Sequence, residues 1–324
     1  MNKERYLRQT TLAGFGTQGQ QKLGNAKVLV VGAGGLGVPV LTYLNAMGVG
    51  TLGIVDADVV SLSNLHRQVL YTEDVVGTSK VLAAKDQLLR QNSNTQIETY
   101  QTYLTVANAL DIIKEYDVIV DATDNFPTRY LINDACVIEN KPFVYGALHA
   151  FEGQVSVFNY QGGPTYRCLF PTMPQADAVP NCNENGVLGI LPGIIGNLQA
   201  LEVVKIIAEI GEVLSGVLLL FDTLTQRTQQ MKFKLQPGNN EIKTLETSYE
   251  FDCELPLKSV KAEEFNAFLI EQAVELIDVR TVKEFQRQHL KEAKHIPLGE
   301  LTNRVVEVDL ETTVYVICQS GVRS

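Results

Sequence analysis

Residues 27–37 read KVLVVGAGGLG, and with the continuation LGVPVLTYLNAMG (36–48) and TLGIVDAD (51–58) they decide the fold. The unbroken apolar run of the first segment is what a parallel strand covered on both faces requires. A helical segment and a second apolar strand follow it, so the three pieces form a βαβ unit. Between the first strand and the helix stand Gly32, Gly34, Gly35 and Gly37 in the pattern GxGxxG. Glycines there permit a tight turn, let backbone N–H groups approach a phosphate, and set it at the positive end of a helix. Asp56 ends the second strand 19 residues after Gly37, where a carboxylate can take ribose hydroxyls. A glycine-rich turn without a ligand is the alternative; strand, helix and acid in register argue for a nucleotide.

The alternation continues outward from this unit. KVLAAKDQLLRQN (80–92) predicts a helix, IETYQTYL (97–104) an alternating strand, and a further helix ends near Lys114. YDVIVDATDN (116–125) is another apolar strand that runs into acids and amides. PFVYGALHAFEGQVSVFNY (142–160) and GVLLLFDTLTQRTQQMKFKL (216–235) read instead as strands joined by turns, so the later part of the sheet is expected to be antiparallel. The stretch LQPGNNEIKTLETSYEFD (235–252) carries the composition of a linker. Strand–helix alternation then resumes through FNAFLIEQ, VELIDVR and TTVYVICQS. GVLGILPGIIGNLQALEVVKIIAEI (186–210) is long enough to test as a membrane span. Pro192, Asn197, Gln199, Glu202 and Lys205 interrupt it, which predicts a loop followed by a largely buried helix.

A chain of 324 residues with 45% hydrophobic and 20% charged residues has ample material for a core, and its length suits two domains. The formal charge of −10 comes without a basic patch or arm, which argues against nucleic acid or an anionic membrane as partner. The five cysteines are scattered with no CxxC pair, and the N-terminus has no apolar signal core, so a cytoplasmic protein is expected.

Two nucleotide chemistries fit a glycine loop. A dinucleotide needs little beyond the helix dipole, whereas a triphosphate that loses pyrophosphate needs cations and usually a metal. Asn64, Arg67 and Gln68 lie just past the second strand, and Lys80 opens the next helix. Arg67 and Lys80 can neutralise departing phosphates, while Asn64 and Gln68 add directional hydrogen bonds; as isolated residues they would read as solvated surface. Asp124, at the carboxyl end of the fourth strand, is the candidate for Mg²⁺, and Asp121 the candidate cap of the following turn.

GAGGLG, DADVVSLSNLHRQ (56–68), VGTSK (76–80), ATDN (122–125) and RYLRQ (5–9) together resemble the MoeB/ThiF family, the bacterial relatives of ubiquitin-activating enzymes. The resemblance covers about residues 3–235, with an adenylyltransferase domain over 1–235 and a linker over 236–254. It implies an α/β fold whose ATP-binding half is Rossmann-like and parallel and whose second half is antiparallel. It also implies ATP-dependent adenylylation of the C-terminal Gly-Gly of a ubiquitin-like sulfur carrier, for molybdopterin, thiamine or tRNA thiolation. By the same carry-over Asp56 binds ribose, Asn64, Arg67, Gln68 and Lys80 bind phosphates, and Asp124 holds the metal. Arg8 would reach the triphosphate from the partner subunit of a homodimer. Members of the family often hold a structural zinc on two CxxC pairs; here only Cys168 of the first remains and QPGNNEIK (236–243) replaces the second. No structural zinc is therefore expected, with Cys168 a small buried residue and packing or the dimer replacing the metal. Cys182 stands where some members form a covalent link to the carrier; a thiol without a role fits the sequence equally well. Cys136 reads as core packing.

Residues 255–324 resemble a rhodanese, a sulfurtransferase domain, through VELIDVRTVKEF, HIPLGEL and TTVYVICQSGVRS. Cys318 would carry a persulfide in a loop of N–H groups with Arg323 as a fixed charge, and Asp278 and Arg280 would brace the fold. A cysteine desulfurase is a possible source of that sulfur. The sequence ends at Ser324, before the helix that normally completes the cradle, so the domain is expected to be partial, weakly ordered and poorly active. An NAD-dependent oxidoreductase and a non-catalytic module that holds nucleotide and carrier are the rival readings. A relative that adenylates a tRNA-linked carboxylate fits the rhodanese fusion and the acidic charge less well.

Overall fold

The computed structural model describes residues 4–174, 186–249, 260, 265, 274–291, 293–309 and 313–318. The chain divides into two compact units, 1–252 and 253–324.

The first unit is built on an eight-stranded sheet of order β3-β2-β1-β4-β5-β6-β7-β8. Its parallel half comprises β1 (Lys27–Val31), β2 (Thr51–Val55), β3 (Gln96–Tyr100), β4 (Val118–Asp121) and β5 (Phe143–His149). β6 (Glu152–Phe158), β7 (Val217–Asp222) and β8 (Arg227–Lys232) continue it antiparallel, as the strand–turn patterning predicts. The expected third strand is shorter than its alternating sequence, since pairing with β2 stops at Tyr100.

Strand periodicity sorts the apolar residues into two cores. Val28 and Val30 of β1, Leu52 and Ile54 of β2, and Val118 and Val120 of β4 face one layer. Leu29, Val31, Val55 and Ile119 face the other. Helices α2 (Gly16–Asn25), α3 (Gly37–Met47) and α4 (Lys80–Gln91) contribute to the first core. α5 (Ala109–Ile113), α6 (Phe126–Ile138) and α7 (Tyr166–Leu169) contribute to the second, which buries Cys136 as expected. A short α1 (Leu7–Thr10) precedes them. Buried on both faces, β1, β2 and β4 can be apolar throughout, which is why their sequences are continuous runs, while the part-exposed edge strand β3 alternates.

The apolar stretch forms α8 (Ile190–Ala208), which packs on α3, β5 and β6. By length and composition it could cross a membrane, but 56% of its most apolar window lies inside the unit. Three of its polar residues have internal partners: Glu202 pairs with Lys205 and accepts the Leu214 N–H at 2.9 Å, and Gln199 donates to the Asp121 carbonyl at 2.7 Å.

Residues 236–249, read from composition as linker, are tied to the first unit. The Gln236 N–H and the Asn239 amide donate to Cys168 Sγ at 3.3 and 3.5 Å. Tyr249 is buried and donates to Asp134 at 2.7 Å. Cys168 is accordingly half-buried and hydrogen-bonded, not the buried space-filler its isolation in sequence suggests. Burial pushes its thiol up, but donors from Gln236, Thr165 and Asn239 outweigh that and hold it below the usual range.

In the second unit β9 (Val274–Asp278) lies between β10 (Lys294–His295) and β11 (Thr313–Ile317), all parallel, with α9 (Val282–Arg287) and α10 (Leu298–Arg304) in the connections. Ile277, Val279 and Ile296 form its core. Asp278 and Arg280 brace it as expected: guanidinium and carboxylate meet at 2.6 Å. Cys318 follows β11 directly and packs against this core. FNAFLIEQ apart from Phe265, Cys182, and the loop from Gln319 through Arg323 lie outside the described residues.

Candidate active site

A crevice of about 610 Å³ opens at the carboxyl ends of the parallel strands, where open α/β sheets bind ligands. Gly32, Gly34, Gly35, Asp56, Asn64, Arg67, Gln68, Lys80 and Asp124 all line it. Residues separated by as many as 92 positions are thus brought to one cavity.

The glycine loop owes its path to lack of side chains. Gly32 has φ +101°, and a Cβ there would stand 2.6 Å from the Ala122 carbonyl oxygen. Gly37 does not line the cavity; it lets the first turn of α3 pass against the Gly32 carbonyl, where a Cβ has no room. Tyr71 donates to the Ala33 carbonyl at 2.8 Å, and Asp56 accepts the Ala33 N–H at 2.8 Å. Burial, then the Asp56 charge, push the Tyr71 hydroxyl well above its usual range, so it remains a donor.

Asp56 also accepts the Asp58 N–H at 2.8 Å, which fixes the chain as it leaves β2. Lys80, at the start of α4, is buried and places Nζ 2.7 Å from Asp58 and 3.9 Å from Asp56. Arg67 is oriented from its own turn. It donates to Asn64 Oδ1 at 2.9 Å, and its Nη1 lies 3.3 Å from His66 Nε2. Gln68 is buried behind the glycine loop, and its Oε1 has no hydrogen-bond partner among the described residues.

At the end of β4, Asp121 is fully buried and caps its turn as expected, accepting from Thr123 N–H at 3.0 Å and Thr123 Oγ1 at 2.6 Å. Burial pushes its carboxyl above the usual range while Arg129 opposes that shift. Arg129, between the rings of Phe126 and Tyr145, donates to the Thr123 carbonyl at 3.0 Å. Thr123 is therefore held from both sides, and the next residue, Asp124, projects into the crevice with no hydrogen bond among the described residues. Asn125 caps α6 through the Thr128 N–H at 2.9 Å.

Arg8 is exposed on α1 and does not line this chain's crevice, and Cys318 belongs to the second unit. Sequence reasoning passed over part of the wall: Asp58, His66, Tyr103, Leu104, Leu148, Val187 and Pro192. Asp58 was two residues from a chosen acid and His66 lay inside a chosen motif, so both were open to notice. The others come from distant segments and carry no local signal.

A glycine loop on a helix N-terminus, an acid at the next strand end, and cations converging on one crevice define a nucleotide-binding α/β enzyme. The ThiF family model matches residues 6–242 and the rhodanese-like domain model residues 261–324. The chain belongs to the ThiF family and carries a rhodanese-like domain; it is an adenylyltransferase with a sulfurtransferase domain. It is 41% identical over 349 aligned residues to the adenylyltransferase and sulfurtransferase MOCS3-1 of Zea mays, covering 98% of this chain and 75% of that protein. It is 48% identical over 262 residues to the sulfur carrier protein adenylyltransferase of Thermus thermophilus, covering 78% of this chain and 97% of that protein. Among solved structures it resembles E. coli MccB with MccA-N7isoASN, at TM-score 0.66, 23% identity and 74% coverage of each chain, a likeness of fold alone.

Proposed function

We propose that the crevice binds ATP and that the enzyme transfers its adenylyl group to the C-terminal glycine of a ubiquitin-like sulfur carrier. The observation that carries this reading is the meeting of Asp56, Arg67, Lys80 and Asp124 around one glycine loop. The relative from Thermus thermophilus, named for a sulfur carrier protein, supports the acceptor class.

In this reading Asp56 holds the ribose, and Gly34, Gly35 and the N-terminus of α3 hold phosphate through backbone N–H groups. The carrier's terminal carboxylate attacks the α-phosphorus; an oxygen–phosphorus bond forms, the bond to the bridging oxygen of pyrophosphate breaks, and pyrophosphate leaves. A carboxylate at neutral pH is already a nucleophile, so no side chain has to remove a proton. The barrier is the approach of one anion to another, and Arg67, Lys80 and an arginine from a second subunit, Arg8, lower it electrostatically. Asn64 and Gln68 orient the chain of phosphates.

The donor set of the crevice fits Mg²⁺. Among the described residues no three His, Cys, Asp or Glu side chains gather, and Asp124 offers one carboxylate without a hydrogen bond. Mg²⁺ is commonly held in this way, by one or two carboxylates together with substrate phosphates and waters. Bound there, it would neutralise phosphate charge. In the second unit Cys318 is the proposed persulfide carrier, supplied by a cysteine desulfurase. A cytoplasmic homodimer is the proposed assembly.

Isotope exchange between ATP and pyrophosphate tests the reading, with a purified carrier ending in Gly-Gly as acceptor. Exchange that depends on the carrier and on its last glycine is expected. NAD binding in place of ATP, or no exchange with any carrier, would overturn it.

A further inference from the structure

The geometry points to Tyr103 as the residue that carries the nucleobase; this rests on the proposed reading of the crevice as an ATP site. Asp56 fixes where a ribose sits, and the glycine loop lies on its β1 side. On the β3 side of Asp56, pairing continues as far as the Asp56 N–H, which donates to the Tyr100 carbonyl at 3.2 Å. The chain then leaves β3 and lines the cavity with Thr102, Tyr103 and Leu104. A base attached to a ribose at Asp56, with its phosphates turned toward the glycine loop, extends to this wall.

Tyr103 is the one Phe or Tyr among the described residues of the cavity wall, and 67% of it is exposed. An aromatic ring left uncovered at the mouth of a nucleotide crevice has no role in the core beneath it; Leu104, the next residue, is the one that is buried. Its far end is fixed, because the hydroxyl donates to Asp58 Oδ1 at 3.3 Å, and Asp58 is also the partner of Lys80. Asp58 thus ties the ring of Tyr103 and the ammonium of Lys80 to the end of β2. A ring so anchored offers a stacking surface whose ordering cost is partly met before the ligand arrives. Leu104, the adjoining apolar side chain, favours a flat heterocycle over a charged group at this end of the crevice.

The test compares full-length parent, Tyr103→Ala and Tyr103→Phe by equilibrium binding of ATP, adenosine and inorganic tripolyphosphate. Tyr103→Ala is expected to weaken ATP and adenosine about tenfold, the scale of one lost base–aromatic stack. Tripolyphosphate, which has no base, is expected to bind as in the parent, and Tyr103→Phe to keep most of the affinity because the ring remains. Unchanged ATP binding by Tyr103→Ala overturns the assignment. So does equal loss of adenosine and tripolyphosphate, which marks a disturbed site rather than a missing stack. A parent chain that binds no ATP overturns the ATP reading itself, an outcome distinct from either.

Discussion

Arg167 grips Asp134 with two parallel hydrogen bonds, Nε to Oδ1 at 2.8 Å and Nη2 to Oδ2 at 2.7 Å. Tyr249 adds a third at 2.7 Å, and Arg167 reaches Glu246 as well. This clasp joins α6, α7 and the segment after β8. The side chain of Asp134 is only 2% exposed, so removing it leaves Arg167 with Glu246 as its one carboxylate and takes their acceptor from the Tyr249 hydroxyl and the buried Asn133 amide. Asp134→Ala is expected to lower stability by about 3 kcal/mol, the scale for breaking one side of a buried pair. Urea unfolding measures it, and a loss no larger than that of an exposed pair would refute the clasp.

How much of this was legible beforehand follows from the range of each signal. β1, β2 and β4 were readable because burial on both faces leaves an apolar run, and turn residues marked the antiparallel strands. The glycine loop, Asp56 and Asp124 were readable because each follows the end of such a strand, and Asn64, Arg67, Gln68 and Lys80 because they stand in the segments SLSNLHRQ and VGTSK that carry the resemblance. The clasp was not: Asp134 and Tyr249 are 115 residues apart, and nothing in either neighbourhood specifies the other. Residues 236–249 resemble a linker because polar residues that bond within their own folded unit have the same composition as polar residues that bond to water. The wall of Tyr103, Leu148, Val187 and Pro192 was hidden likewise, as it exists only once three separate segments have met.

Alkaline pH is expected to unfold the first unit. Burial pushes Tyr130 and Tyr145 up to about 12, and Tyr71, Tyr116, Tyr166 and Tyr249 higher still. In the unfolded chain a tyrosine loses its proton near 10. Between about 10 and 12 the unfolded state therefore holds fewer protons than the folded one, and stability falls as pH rises. Their contribution is fully present below about pH 10. Melting temperature followed from pH 8 to 11 should be level and then drop; a flat profile to pH 11 would contradict the burial of these rings.

Two cysteines of the first unit should react in opposite order to their surroundings in the sequence. Cys136 is fully buried and burial raises its thiol well above the usual range. Cys168 is half-buried and held low by its donors, so it carries more thiolate near neutrality. Timed iodoacetamide labelling with mass mapping is expected to find Cys168 modified in the native protein and Cys136 only on unfolding. Comparable rates at the two sites would show that the hydrogen bonds to Sγ do not persist in solution.

The hold on Thr123 makes a prediction that separates binding from chemistry. Asp121 accepts from its N–H and hydroxyl while Arg129 takes its carbonyl, so the backbone entering Asp124 is fixed before any ligand arrives. If Asp124 acts on the reacting phosphates through a metal, Asp124→Asn should cost about 100-fold in ATP–pyrophosphate exchange. Binding of ATP without Mg²⁺ should change by less than about threefold, because the carboxylate touches no other group that shapes the site. Arg129→Gln should lose exchange in the same direction but less, since Asp121 still holds one side of Thr123. It should also lower the melting temperature, because the fully buried Asp121 carboxyl then loses the cation that offsets its burial. Equal loss of metal-free ATP binding and of exchange in Asp124→Asn would assign Asp124 to the shape of the pocket instead of to the reaction.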